Sequence, residues 1–96
     1  MTEQNLQMPR ISTFYGIVVA MFYDEERHSG RPHFHATYAG EDVSIDIETL
    51  EILAGAFPAN GLRLLTEWAS AHREELQANW DKARRHEPLE KIAPLP

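Results

Sequence analysis

The sequence predicts an α+β fold: a small antiparallel sheet of three to five strands, at about residues 10–53, followed by one long or kinked amphipathic helix. The helix, at about residues 59–86, is expected to pack on one face of the sheet. Three observations support this fold class. Residues 17–23 form a β-branched and aromatic run, two alternating runs flank Gly40, and an apolar stripe recurs at steps of three and four over residues 62–83.

Length and composition predict one soluble domain. The chain has 96 residues, 43% of them hydrophobic and 25% charged, which is ordinary for a single globular domain. We expect a disordered extension at residues 1–7, one α+β domain at 8–87 and an extended, proline-bounded tail at 88–96. The sequence contains no cysteine and no run of about 18 apolar residues, so a cytoplasmic protein without a membrane partner is predicted.

The charge balance restricts the partners. Fifteen Asp and Glu residues against nine Lys and Arg residues give a formal net charge of -6. Nucleic acids are bound by clustered cations, so this charge argues against general DNA binding. Arg27 and Arg31, in the loop before the third strand, are the candidate phosphate-binding residues. Three acidic residues at 24–26 directly precede them, so a solvated loop of mixed charge is an alternative interpretation.

The strands before this loop are marked by composition. Residues 17–23 lack polar alternation, which predicts a central strand covered on both faces. Residues 11–15 indicate an earlier strand, separated from the next by Gly16. Residues 49–53 could continue the sheet as a strand or form a turn.

The clearest element is a β-hairpin. Two strictly alternating runs, residues 33–39 and 42–48, flank Gly40 and Glu41. Because successive side chains of a strand point to opposite faces, each run has an apolar face and a polar face. The apolar face carries Phe34, Ala36, Tyr38, Val43, Ile45 and Ile47. With Gly40 and Glu41 as the loop, the polar face would pair two histidines with two carboxylates.

In that register His35 lies opposite Asp46 and His33 lies opposite Glu48. Two histidines at i and i+2 are about 6.7 Å apart along one face, so His33, His35 and Asp46 could hold a divalent metal, the one cofactor that these residues suit. Without a metal, the four residues could act as general acid and base in phosphodiester hydrolysis. Such pairs also stabilise a hairpin with no chemistry at all.

The helix is too long for the domain. Residues 59–86 would span roughly 35 Å at 1.5 Å per residue, which exceeds the width of a domain of this size. The helix must therefore bend, break near Ser70 and Ala71, or project to meet a partner. His72 lies on its apolar stripe and is expected to be a hydrogen-bonded core residue, unless a second subunit brings it to a site.

Trp68, Leu76 and Trp80 are the candidate interface residues of this helix, and they could equally be core anchors. A self-association surface on an over-long amphipathic helix predicts a homodimer through the C-terminal helix.

Six motifs are distributed in order over residues 8–80. They are Met8-Pro9-Arg10-Ile11-Ser12, Phe14-Tyr15-Gly16-Ile17-Val18, Pro32-His33-Phe34-His35-Ala36-Thr37-Tyr38, Ile45-Asp46-Ile47-Glu48-Thr49-Leu50-Glu51, Leu65-Thr66-Glu67-Trp68-Ala69 and His72-Arg73-Glu74-Glu75-Leu76-Gln77-Ala78-Asn79-Trp80. Together they resemble the bacterial domain-of-unknown-function family numbered 4160. The resemblance implies a small module of a two-gene, toxin–antitoxin-type pair, whose protein partner is encoded by a neighbouring gene.

Two functions are therefore predicted. The first is a module that acts mainly through protein–protein interaction. The second is a small hydrolase, with or without a metal, that acts on RNA or another phosphodiester through His33, His35 and Asp46 or Glu48.

Overall fold

The computed structural model describes residues 8–23 and 30–96. The predicted disordered extension at 1–7 and the candidate residue Arg27 lie outside these ranges, so both stay predictions.

The described chain forms a five-stranded antiparallel sheet in which each strand pairs with the next in sequence. The strands are β1 (Arg10–Phe14), β2 (Ile17–Ala20), β3 (His33–Tyr38), β4 (Glu41–Asp46) and β5 (Ile52–Gly55). The predicted α+β class and the antiparallel sheet are confirmed. In this order β1 and β5 are the two edge strands.

Two of the hairpins close through two-residue turns. Tyr15 and Gly16 join β1 to β2 with φ values of 50° and 83°, and Ala39 and Gly40 join β3 to β4 with φ values of 54° and 81°. A positive φ at both central residues is the backbone of the type I′ turn, whose twist matches that of the flanking strands. Glycine at the second position adopts this conformation without strain.

Two helices follow the sheet in place of the predicted single one. They are α1 (Ala59–Ala71) and α2 (Arg73–Arg84), and the chain leaves helical geometry at His72, where φ is -127°. The break relieves the length problem, because 13 and 12 residues span only about 20 and 18 Å. Neither helix is long and apolar enough to cross a membrane, within the residues that the structure describes.

The core lies between the helices and the apolar face of the sheet. Trp68 of α1 is fully buried, and its ring lies 5.2 Å from that of Phe14 and 6.1 Å from that of Phe34. The other large, fully buried apolar side chains are Ile11, Ile17, Val19, Met21, Phe34, Val43, Ile45, Leu65 and Leu76.

The C-terminal tail lies along β1. The backbone N–H of Ile92 donates to the carbonyl of Ile11 at 2.8 Å, and the Ile92 side chain is only 4% exposed. Lys91 Nζ donates to the carbonyl of Arg10 at 3.0 Å. We call the outer side of β1 the covered edge, because this segment occupies it.

Two buried side chains of the helices fasten the tail. The side-chain amide of Asn79 donates to the carbonyl of Glu90 and accepts its N–H, both at 2.9 Å. Trp68 Nε1 donates to the carbonyl of Ala93 at 2.8 Å. Asn79 is 1% exposed, so solvent cannot satisfy its side-chain amide. The two bonds to the Glu90 backbone supply the acceptor and the donor that this buried amide needs.

Candidate functional site

The β3–β4 hairpin pairs its polar residues differently from the prediction. His33 lies opposite Asp46, and His35 lies opposite Ser44. The predicted register is wrong by two residues because the turn is formed by residues 39 and 40, not 40 and 41. Both turn residues have a positive φ, and glycine at the second position adopts this conformation without strain.

Glu48 is accordingly not opposite His33. It lies exposed in the turn that follows β4. This turn is closed by Asp46, whose Oδ1 accepts the backbone N–H of Thr49 at 2.7 Å, and by the N–H of Leu50, which donates to the Asp46 carbonyl at 2.8 Å.

The Asp46 carboxylate is also the centre of an ion-pair cluster. Arg31 Nη2 lies 2.7 Å from Asp46 Oδ2 and 3.7 Å from Glu51 Oε1, and the Asp46 side chain is 4% exposed. Burial raises the pKa of the Asp46 carboxyl, but hydrogen bonds from the N–H groups of Thr49 and Glu48 and the charge of Arg31 outweigh this and leave the pKa below its usual value. Asp46 is therefore a stable anion. Arg31, predicted to bind a phosphate, here binds two carboxylates.

His33 is fully buried at the start of β3. Its Nδ1 lies 2.6 Å from the carbonyl of Arg31, and a carbonyl only accepts, so Nδ1 carries the proton. Its ring lies 5.1 Å from that of Trp80 and 5.2 Å from that of His35. The sequence predicted that His33 faces away from the helices. That is wrong, because α2 reaches the end of the sheet where β3 begins.

His35 is the more accessible of the two histidines and borders a cavity of about 380 Å³ on the polar face of the sheet. Its Nδ1 lies 3.1 Å from Ser44 Oγ, and its ring packs edge-on against Phe22 at 4.7 Å. The other lining residues are Met8, Ala36, Thr37, Asp42, Val43, Ala54 and Gly55. Polar oxygens and an imidazole thus meet an apolar wall, a combination suited to binding a small group.

A metal centre is not assembled within residues 8–23 and 30–96, where no three His, Asp or Glu side chains are grouped as ligands. Asp46 is engaged by Arg31 and Thr49, and His33 Nδ1 by a carbonyl. The proposed ligand set of His33, His35 and Asp46 stays a prediction.

The three candidate interface residues are buried within this chain. Trp68 and Leu76 are fully buried and Trp80 is 4% exposed. A homodimer through the C-terminal helix also stays a prediction. His72 is half-buried at the helix break, where Nδ1 bonds Glu75 Oε1 and the ring lies 5.5 Å from that of Trp68.

Comparison with known proteins identifies the family. Residues 16–81 match the family described as Domain of unknown function (DUF4160). The chain belongs to this family. No curated protein and no solved structure matches the chain.

The DUF4160 match contains the histidine face, the cavity lining from Phe22 onward, the Arg31 cluster and β5, whereas β1 and the tail lie outside it. The match therefore covers β2 to β5, the whole of α1 and α2 as far as residue 81.

Sequence reasoning missed the outer side of β5 in this DUF4160 chain, which we call the open edge. No strand of the described ranges pairs with it. Ile52 is 43% exposed. Asp46 N–H donates to the Glu51 carbonyl at 2.9 Å, and the C=O and N–H of one trans peptide point in opposite directions, so the N–H of Ile52 points outward. The β4–β5 register shifts beyond this point, between Ser44 and Ile45. The sequence left residues 49–53 as either a strand or a turn, so it did not predict that an edge strand lies there.

The open edge ends at a glycine for a steric reason. Gly55 has a φ of +84°, and a Cβ there would lie 2.2 Å from the Asp42 carbonyl oxygen. This close approach also lets the N–H of Ala56 reach the same oxygen at 3.1 Å. β5 therefore stays tightly paired to β4 while its other side faces out.

Proposed function

We propose that this DUF4160 protein binds another protein by accepting an extended segment of that partner at the open edge. The observation that carries the proposal is the unequal treatment of the two edge strands. The outer side of β1 is occupied by the chain's own tail through the Ile92 N–H, while the outer side of β5 has no paired strand in the described ranges.

Unpaired edges are usually short, charged or covered, because they otherwise pair with other chains. β5 is short, at four residues, and its pairing with β4 is irregular between Ser44 and Ile45, but it keeps an exposed isoleucine and directs the N–H of Ile52 outward. Strand addition uses such groups for affinity and the neighbouring pockets for specificity. The cavity of about 380 Å³ is lined by Ala54 and Gly55 of β5, so it adjoins this edge.

The partner that we propose is the product of a neighbouring gene, with the complex forming in the cytoplasm as in two-gene pairs of the toxin–antitoxin type. Support comes from the family resemblance and the cysteine-free composition.

The test is co-purification of the protein with the product of the neighbouring gene, followed by calorimetric measurement of Kd. Ile52→Pro removes an outward N–H without touching the bonds to β4, and we expect it to weaken binding at least about tenfold. The matched control is Ile52→Thr, which removes the exposed apolar group and keeps the donor. Equal Kd values for the wild type and Ile52→Pro would refute strand addition at β5.

A hydrolase acting on RNA or another phosphodiester is a second candidate. It is favoured by the pairing of His35 Nδ1 with Ser44 Oγ at 3.1 Å beside the cavity. The arrangement lacks the predicted carboxylate partner, because Asp46 pairs with Arg31. The assay is cleavage of RNA with and without divalent metal, comparing His35→Ala with the distant control His72→Ala. Cleavage that His35→Ala leaves intact would exclude this site.

A further inference from the structure

We propose that the segment received at the open edge is basic, with lysine or arginine alternating with apolar residues. This inference rests on the proposed function and adds the chemistry of the partner.

The hairpin that carries the open edge is strongly acidic. Residues 41–55 contain five Asp and Glu residues and no Lys or Arg, in a chain whose net charge is -6. Arg31 is the cation that contacts two of these carboxylates among the described ion pairs. Five carboxylates and one guanidinium leave four negative charges around one short strand. Glu41, Asp42, Glu48 and Glu51 are exposed.

These charges lie at both ends of β5. Glu51 directly precedes the strand, and its side chain is 69% exposed. Asp42 adjoins the other end, where its carbonyl accepts the N–H of Ala56. An added strand therefore meets negative charge at its start and at its finish. Opposite charges on neighbouring strands stabilise the pairing, and like charges oppose it.

The cavity offers candidate acceptors on one face of the added strand. Thr37, Asp42 and Ser44, whose side chains carry oxygen atoms, line it together with the small residues Ala54 and Gly55 of β5. A lysine or arginine side chain from the neighbouring strand can lay its aliphatic stem over small residues and bring its charged end to the oxygens.

A second copy of this chain suits the edge less well. In an antiparallel pair of two β5 strands, the start of one strand meets the end of the other. Glu51 of each copy would then approach Asp42 of its partner. This like-charge contact favours a basic partner over self-pairing.

The experiment uses fluorescein-labelled peptides of about eight residues with capped ends and measures Kd by fluorescence anisotropy. One peptide alternates lysine with valine, a second alternates glutamate with valine, and a third is the lysine peptide with N-methyl groups along one edge. We expect the lysine peptide to bind at least about tenfold more tightly than the other two, and its affinity to fall between about 50 and 500 mM salt.

The protein variants locate the binding site. Asp42→Asn with Glu51→Gln should weaken the lysine peptide about fivefold to twentyfold. Glu67→Gln with Glu74→Gln, on exposed helix positions, changes the net charge equally and should have no effect. Equal binding of the glutamate peptide, or equal effects of the two double variants, would overturn the inference. So would a dimer in sedimentation equilibrium that Ile52→Pro abolishes.

The two proposals fail differently. If the lysine and glutamate peptides bind the wild type equally and Ile52→Pro weakens both, strand addition at β5 is supported and the basic partner is refuted. If the lysine peptide binds but neither Ile52→Pro nor N-methylation changes its Kd, charge alone accounts for the binding. The proposed strand addition at β5 is then refuted.

Discussion

The two edges of the sheet are protected by different physical means. The covered edge is occupied by the C-terminal tail of the same chain, which bonds to β1 and is held by hydrogen bonds to Asn79 and Trp68. The open edge is flanked by carboxylates, with Arg31 joining Asp46 to Glu51. Under the proposed function, this difference would restrict strand addition to the open edge.

Removing the tail should have the largest effect. Deletion of residues 88–96 exposes Ile11 and the β1 ladder, and it leaves Asn79 and Trp68 without their partners. Loss of Ile92 burial together with several buried hydrogen bonds predicts a loss of roughly 4 kcal/mol in the free energy of unfolding. Urea unfolding followed by circular dichroism measures it. A loss below about 1 kcal/mol would mean that the tail does not close the edge.

One substitution made at both edges sharpens the comparison. Ile92 is 4% exposed and Ile52 is 43% exposed. Ile92→Thr should lower the free energy of unfolding by about 2 kcal/mol, because it buries a hydroxyl and loses packing, whereas Ile52→Thr should change it by less than about 0.5 kcal/mol. Parallel thermal melts compare the two variants. Equal shifts in Tm would contradict the assignment of covered and open edges.

The edges should also differ in their response to pH. The lowered pKa of Asp46 means that its charge stabilises the fold above the unfolded pKa of about 3.9, and that this contribution is lost as pH falls through the lower folded pKa. Asp46→Asn should therefore destabilise the fold at pH 7, and the difference from the wild type should shrink as the pH falls below the unfolded pKa. The Asn79 bonds are between neutral groups, so the loss in Asn79→Ala should not depend on pH in this range. A constant difference between the wild type and Asp46→Asn from pH 7 to pH 2 would disprove the charge contribution.

The smallest expected effect is a stabilisation, from a substitution at Ser12 in β1. Ser12 is 6% exposed, and its hydroxyl has no hydrogen-bond partner in the described part of the chain. Because a buried hydroxyl without a partner is unfavourable, Ser12→Ala should raise the free energy of unfolding by about 0.5 kcal/mol. Ser12→Thr, which keeps the hydroxyl and adds a methyl group, is the control. Destabilisation by Ser12→Ala would imply a bond that the geometry lacks.

The sequence carried enough information for the sheet but not for its pairing. Alternation over residues 33–48 predicted which side chains share a face, and Phe34 and Ile45 are indeed buried together. The register depended on one turn, and the position of glycine in a type I′ turn decided it. Alternation with a period of two shows which residues share a face of the sheet. Which residue lies opposite which on the neighbouring strand depends on the turn conformation.

The site was less predictable because its contacts are not periodic. His33 packs against Trp80 of α2, and although the helix length predicted a break near Ser70 and Ala71, it did not predict that the second helix would reach His33. Asp46 is held by a turn and by Arg31 rather than by a histidine. The tail has no repeating pattern, and its anchors are backbone groups that reach Asn79 and Trp68, which only the assembled fold brings near.

The two tryptophans give the protein a built-in optical readout of these events. Trp68 donates its indole N–H to the tail at Ala93, and Trp80 packs against the first residue of β3. If the tail detached from Trp68, or β3 moved away from Trp80, that indole would become exposed to water. Its fluorescence emission would then shift to longer wavelength. Variants retaining a single tryptophan would thus separate peeling of the C-terminal segment from loosening of the histidine strand without any added dye.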